Sequence, residues 1–260
     1  MPNWIRVAGS DNGGAVYLLD NLDASSYLYR YMSANHGLAT LREQSLYLSN
    51  VQRWIDPYER WWCEVLFHEG SKLRDVNVFG TCWTTRRRSE PFWRLYEDRC
   101  SHRDARGNPL PKSDPPIRLK AKLANLIQVF AATVSQQEAK VYIGQVRYDK
   151  TVDIVQNAKR LLEGKEVSSI AAASMMTKRL SFRFEREVRA LWIDRRLGRE
   201  SRSVAFDRAS LIEQVMVGPA READVANALK LRLGKFLEAG KVKRSLIYKA
   251  PAPPTNSVAD

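Results

Sequence analysis

The chain has 260 residues, 44% hydrophobic and 10% aromatic, with 42 Lys plus Arg against 29 Asp plus Glu and a formal net charge of +13. That length supports one large domain or two small ones with a sizeable core, and the composition excludes a chain disordered throughout. No apolar run reaches the length a bilayer needs and no charged-then-apolar leader opens the chain, so a soluble cytoplasmic protein without a membrane partner is expected.

The basic excess, with a pI near 9.8, favours polyanionic partners, nucleic acid first and acidic membrane second. No basic amphipathic helix with a clean apolar face stands out, which weakens the membrane option. A merely soluble basic protein is the plain alternative. The cysteines, Cys63, Cys82 and Cys100, are odd in number and widely spaced, with no CxxC and only three histidines. Buried reduced thiols are expected, with neither a disulfide framework nor a metal site.

Residues 1–26, with Gly9, Gly13 and Gly14, read as a loose arm around the apolar piece Val16–Leu19. Tyr27–Met32 (YLYRYM) reads as a strand with Arg30 in its middle. A desolvated guanidinium there needs a partner, unless Arg30 is a rim residue with a wet head. Ser33 suits the N-cap of a helix near Asn35–Gln44, and Ser45–Ser49 returns as a strand. Asp56–Pro57 marks a turn, with Asp56 fit to cap the next helix and Pro57 to open it. Trp54, Tyr58, Trp61 and Trp62 are expected mostly in the core, one of them free for ring stacking.

Val76–Thr84 is strongly strand-like, and the helix Glu90–Asp98 groups Phe92, Trp93 and Tyr96 at helical spacing. Arg86–Arg88 is a short basic run whose bland reading is a solvated cluster. The polar loop Cys100–Pro116 is either a substrate-facing loop or a lid. Beyond it, strands are expected at Ile117–Lys120, Val141–Tyr148, Leu211–Val217 and Val242–Tyr248. Helices are expected at Lys122–Ser135, Thr151–Glu163, Val167–Thr177 and Glu222–Leu237, and Ala250–Asp260 reads as a disordered Pro-rich tail. Without a regular βαβ rhythm, the pattern indicates one α+β domain.

The stretch Lys178–Arg189 (KRLSFRFEREVR) has two readings. With the period of a strand, Phe182, Phe184, Val188, Ala190 and Trp192 share one face, and Arg183, Glu185, Glu187 and Arg189 the other. As a helix, Phe184, Val188 and Leu191 form an apolar stripe. Paired carboxylates beside guanidiniums serve either a salt-bridge network or an active site. GxGxxG, P-loop, GxSxG, HExxH and CxxC motifs are absent, so Rossmann hydride transfer, P-loop hydrolysis and zinc hydrolysis lose support.

Several stretches together resemble one family of bacterial and phage domains long labelled only as of unknown function. They are LYRY at 28–31, SLYLSN at 45–50, DPYE at 56–59, TCWT at 81–84, FWRLY at 92–96, VYIGQVRY at 141–148, KRLSFRFEREVR at 178–189, LIEQVMVGP at 211–219 and RSLIY at 244–248. The likeness runs in order over most of the chain. Thr84 stands where the family more often has Ser, and Ile55 where Asn is common. The family's layout is similar to that of ADP-ribosyltransferases, especially toxins that modify nucleic acid. The resemblance implies a single ADP-ribosyltransferase-like domain over 27–249, with split mixed/antiparallel sheets and flanking helices, and NAD as substrate.

By the same resemblance, Glu187 and its companion Glu185 would be catalytic, Arg30 would touch NAD, and Thr84 would brace the pocket. Tyr31, Ser33, Trp93 and Tyr96 would line it, with the aromatics beside the nicotinamide. Arg86, Arg87, Arg88, Arg103 and Arg106 would hold an RNA or DNA acceptor. The implied role is a toxin of phage defence or of a toxin–antitoxin system, with an antitoxin and a chaperone as partners. Two alternatives stay open: transfer to protein or water, or a non-catalytic nucleic-acid-binding defence domain. In the latter, Arg30, Glu185, Glu187 and Arg189 form a buried charge network.

Overall fold

Asn77–Thr84 is buried almost throughout and Glu187–Asp194 throughout, which requires central strands covered on both faces. A computed structural model describes residues 2–9, 14–19, 22–98, 114–135, 137–164, 166–195, 200–220 and 223–248. The first half runs β1 (Trp4–Gly9), β2 (Ala15–Leu19), β3 (Tyr27–Met32), α1 (Ala34–Glu43), β4 (Ser45–Asn50), α2 (Pro57–Phe67), β5 (Asn77–Thr84) and α3 (Glu90–Asp98). Next come β6 (Ile117–Lys122), α4 (Leu123–Val134), β7 (Lys140–Gln145), β8 (Arg147–Asp149), α5 (Thr151–Leu162), α6 (Val167–Met175) and β9 (Thr177–Arg179). After a 3-10 segment at Leu180–Glu185, the chain continues as β10 (Glu187–Asp194), β11 (Ser201–Ala205), α7 (Arg208–Leu211), β12 (Gln214–Val217), α8 (Ala223–Gly234) and β13 (Val242–Arg244).

Helices and strands thus mix in an α+β arrangement. Among the described residues, one 11-stranded sheet runs β1-β2-β7-β10-β5-β3-β6-β12-β13, with β4 and β11 off that path. Most pairs are antiparallel; β2–β7 and β12–β13 are parallel. The split is a fork: one edge of β5 pairs β4 at Phe79 and Gly80, then β3 at Thr84. β8 and β9 form a separate parallel pair.

Alternation along β10 divides the interior. Val188, Ala190 and Trp192 pack with Phe130 of α4 and Trp83 of β5, whereas Leu191 and Ile193 pack with Trp62 of α2 and Ile170 of α6. Full burial of each such aliphatic side chain contributes about 1.5–3 kcal/mol. Two cores therefore grip the middle of β10 and leave polar groups to its start, at Glu187 and Arg189, and its end, at Asp194.

Several expectations need correction. Residues 1–26 are no loose arm, because β2 pairs β7 and sends Val16 and Leu18 into the core. Gly14 is there for contact, since a Cβ would lie 2.3 Å from the Val134 carbonyl oxygen. Val141–Tyr148 breaks after Val146, whose N–H still bonds the Glu187 carbonyl of β10, whereas Arg147 N–H turns to the Met176 carbonyl and β8 pairs β9. Lys178–Arg189 is neither one strand nor one helix: Arg186, at φ 42°, ends the 3-10 segment before β10 starts. Leu211 closes a helix instead of opening a strand. The tail 250–260 lies outside the described residues.

Arg202 of β11 donates to Asp194 at 2.5 Å, with both side chains buried, and lies 4.1 Å from the Trp192 ring. Arg202→Leu is expected to destabilise by about 3 kcal/mol or more, because it strips a buried carboxylate of its cation. Arg53→Ala, breaking the exposed pair with Glu200, should cost no more than about 1 kcal/mol. Urea midpoints check both, and equal losses would contradict this assignment of the Arg202 pair.

Candidate active site

The site is built where the start of β10 meets the end of β5. In their register Glu187 faces Thr84 and Arg189 faces Cys82, so all four side chains share one face of the sheet. The turn into β10 is held from both sides. The Thr84 hydroxyl donates to the Glu185 carbonyl at 2.5 Å, and Thr85 N–H donates to the Arg186 carbonyl at 3.2 Å. Glu187 N–H donates to the Tyr148 hydroxyl at 2.8 Å.

DPYE supplies the opposing wall. Asp56 caps α2 by accepting from Tyr58 N–H, and Pro57 opens the helix, as expected from sequence. Glu59 therefore sits in the first turn and is buried. There it accepts from Arg189 Nη2. Asp56 also takes Arg179 Nη2 at 3.3 Å, so both acids of the motif hold basic groups of the segment leading into β10.

Arg189 is 1% exposed at its side chain. Its Nε donates to Glu187 Oε1 at 2.9 Å, Nη2 to Glu187 Oε2 at 3.0 Å, and Nη1 to the Met175 carbonyl at 2.6 Å. The guanidinium carbon lies 4.5 Å from the Trp54 ring. Lys178 Nζ lies 2.7 Å from Glu185, 3.4 Å from Glu187 and 4.0 Å from Glu59. Three carboxylates thus share two cations.

Burial opposes ionisation of Glu187, but the charges of Arg189 and Lys178 outweigh it and hold its pKa at about 2. For Glu185 burial prevails over Lys178, and its pKa is raised. Burial also disfavours the Lys178 ammonium, yet Glu187, Glu185 and Glu59 raise its pKa. Burial pushes the Tyr148 hydroxyl to about 12. The two acids of EREVR are therefore unlike: one is locked as an anion, while the other is a weaker acid with one cation partner.

Cys82 keeps a solvent-exposed surface, yet burial and the Glu187 carboxylate push its thiol well up. Cys82 therefore lies where the ion cluster meets solvent. Arg30 stands at the fork, where Nη2 donates to the Tyr47 carbonyl at 3.4 Å. Nη1 is buried without a partner among the described residues. Burial lowers the Arg30 pKa, and Cys82 and Tyr96 are close enough to oppose that shift. Arg30 and Glu187 thus both act on Cys82.

The other expected residues lie as follows. Tyr31 and Trp93 are buried edge to face at 4.7 Å, in a small cluster with Tyr29, Phe92 and Tyr96. Ser33 caps α1 by accepting from His36 N–H at 3.3 Å. Arg86, Arg87 and Arg88 are exposed; the carbonyls of Arg86 and Arg87 receive the Tyr31 hydroxyl. Arg103 and Arg106 lie outside the described residues. Glu59, Lys178, Tyr148 and Cys82 carry no assignment from sequence, although each falls inside a quoted motif. Glu185 is not on the strand with Glu187, because the left-handed Arg186 intervenes.

No family model and no curated protein matches the chain. Among solved structures, Thermus sp. 2.9 DarT in complex with carba-NAD+ is 12% identical at a TM-score of 0.36, over 86% of this chain and 96% of that one. Thermus sp. 2.9 DarT in complex with ADP-ribosylated ssDNA gives 12% and 0.36, over 92% of this chain and 96% of that one.

The Glu187 shift has a pH signature. Its folded pKa of about 2 lies below the ordinary 4.5, so its stabilisation is present above pH 4.5 and lost as pH falls toward 2. The size is on the order of 3 kcal/mol, and Glu185, shifted the other way, offsets part of it. Urea unfolding across that window should show a flatter pH dependence for Glu187→Gln than for wild type. Parallel curves would contradict the ion-pair assignment.

Proposed function

We propose that the chain is an NAD-dependent ADP-ribosyltransferase acting on nucleic acid, RNA or DNA, as a cytoplasmic toxin of phage defence or of a toxin–antitoxin system. The observation that supports the reading is that Arg30 and Glu187, from strands far apart in the sequence, both act on Cys82, which lies opposite Arg189 in the β5–β10 register. The residue types fit the ligand. Arg30 has an unpartnered buried donor, and a guanidinium fork suits diphosphate or ribose oxygens.

Departure of nicotinamide takes the glycosidic electron pair and leaves an oxocarbenium-like ribose. Glu187, held ionised, stabilises that positive charge and orients the ribose hydroxyl. Glu185, the weaker acid, accepts the proton of the incoming nucleophile. The +13 charge and the exposed Arg86–Arg88 run favour a polyanionic acceptor. Such an activity harms its host, so an antitoxin, or a chaperone that controls one, is the expected partner.

A second reading has its own support. Glu187 is almost fully buried and bound twice by Arg189, the arrangement of a purely structural charge network.

Labelled NAD incubated separately with RNA, DNA and protein extract decides between them. Wild type should label nucleic acid, and Glu187→Gln and Arg30→Ala should reduce labelling about a hundredfold or more. Labelled protein would move the acceptor class. Absence of NAD turnover under every condition would leave the structural network.

A further inference from the structure

The DPYE helix contributes a third carboxylate whose position has an electrostatic consequence. Arg189 Nη2 is shared: one side meets Glu187 Oε2 at 3.0 Å and the other meets Glu59 Oε1. The guanidinium cannot swing toward either acid, because Nη1 is tied to the Met175 carbonyl and its face lies on Trp54. Lys178 is shared in the same way among Glu185, Glu187 and Glu59. With Glu59 present, the cluster carries one more negative than positive charge. Without it, Arg189 and Lys178 would fully neutralise Glu185 and Glu187.

We propose that Glu59 is a positioning residue that works through Arg189, keeping the cluster around Glu185 and Glu187 net anionic. Its catalytic consequence rests on the transferase reading. A cationic ribose forming beside a neutral cluster would be stabilised less than one beside a cluster of net charge −1 whose acids are largely buried. Glu59 itself touches no reacting atom. It sets the charge that Glu187 can present, and it holds Arg189 from behind so that Glu187 stays aligned.

Glu59→Gln tests this, because the amide keeps an oxygen for Arg189 Nη2 and removes only the charge. Turnover of labelled NAD should fall about tenfold or more with KM within about threefold, since the lost interaction belongs to the transition state. Cys82 provides a readout that needs no turnover. The groups that act on its thiol are Glu187, Arg189, Glu59 and Arg30. Removing one negative charge should move Cys82 alkylation, mapped by peptide mass spectrometry, to lower pH. Glu59→Asp, which retains the charge, should leave the profile near wild type.

A folded Glu59→Gln protein with an unchanged Cys82 profile would overturn the proposal. If Glu59→Gln does not fold, the Asp variant decides: a near-wild-type profile supports the charge role, and a shift to lower pH overturns it. If wild type turns over no NAD, the transferase reading fails on its own, and the thiol profile still decides the role of Glu59.

Discussion

A guanidinium that is 1% exposed has to be neutralised within the protein, and Arg189 is neutralised by two carboxylates, one beside it in sequence and one 130 positions away. Glu187 comes from its own strand and Glu59 from α2. That constraint fixes the face of β10 that turns toward α2 and the register in which β5 lies beside it. It also sets the height at which the 3-10 segment delivers Glu185. The two hydrophobic cores hold β10 along most of its length, and the ion cluster takes over where they end. Packing and charge therefore act on successive residues of one strand.

The fork beside β5 gives that cluster an open side. Neither β3 nor β4 pairs β5 at Cys82 in the described register. β4 leaves after Gly80 and β3 joins at Thr84, with Arg30 reaching across to the Tyr47 carbonyl. Gly80 serves the same end, because a Cβ there would meet the Trp54 ring at 2.5 Å and shift the indole from beneath Arg189. A cationic group, an exposed thiol and the Glu187 carboxylate thus come together, although their parent motifs are far apart in the chain.

Much of this was legible from residue types. The strand-forming residues of Tyr27–Met32 and Val76–Thr84, the Asp56–Pro57 cap and the Ser33 cap all express short-range rules, and the structure follows them. The misses have a common physical cause. Arg186 adopts a left-handed conformation that nothing about an arginine announces, so a two-residue period carried straight through it put Glu185 on the wrong element. The glycines of 1–26 suggested looseness, whereas the short apolar run among them was the stronger signal, because it is buried. Glu59 and Arg189 are separated by 130 positions, and no local pattern reports such a contact. Cys82 looked like an ordinary buried thiol because its neighbours on the sheet come from other motifs.

As proposed, Arg30 and Glu187 hold one NAD molecule beside Cys82. The most direct measurement is the rate of Cys82 alkylation in the wild-type protein with and without NAD, followed peptide by peptide. The account predicts that NAD protects Cys82 and that Arg30→Ala abolishes this protection. Equal alkylation of Cys82 with and without saturating NAD would contradict it.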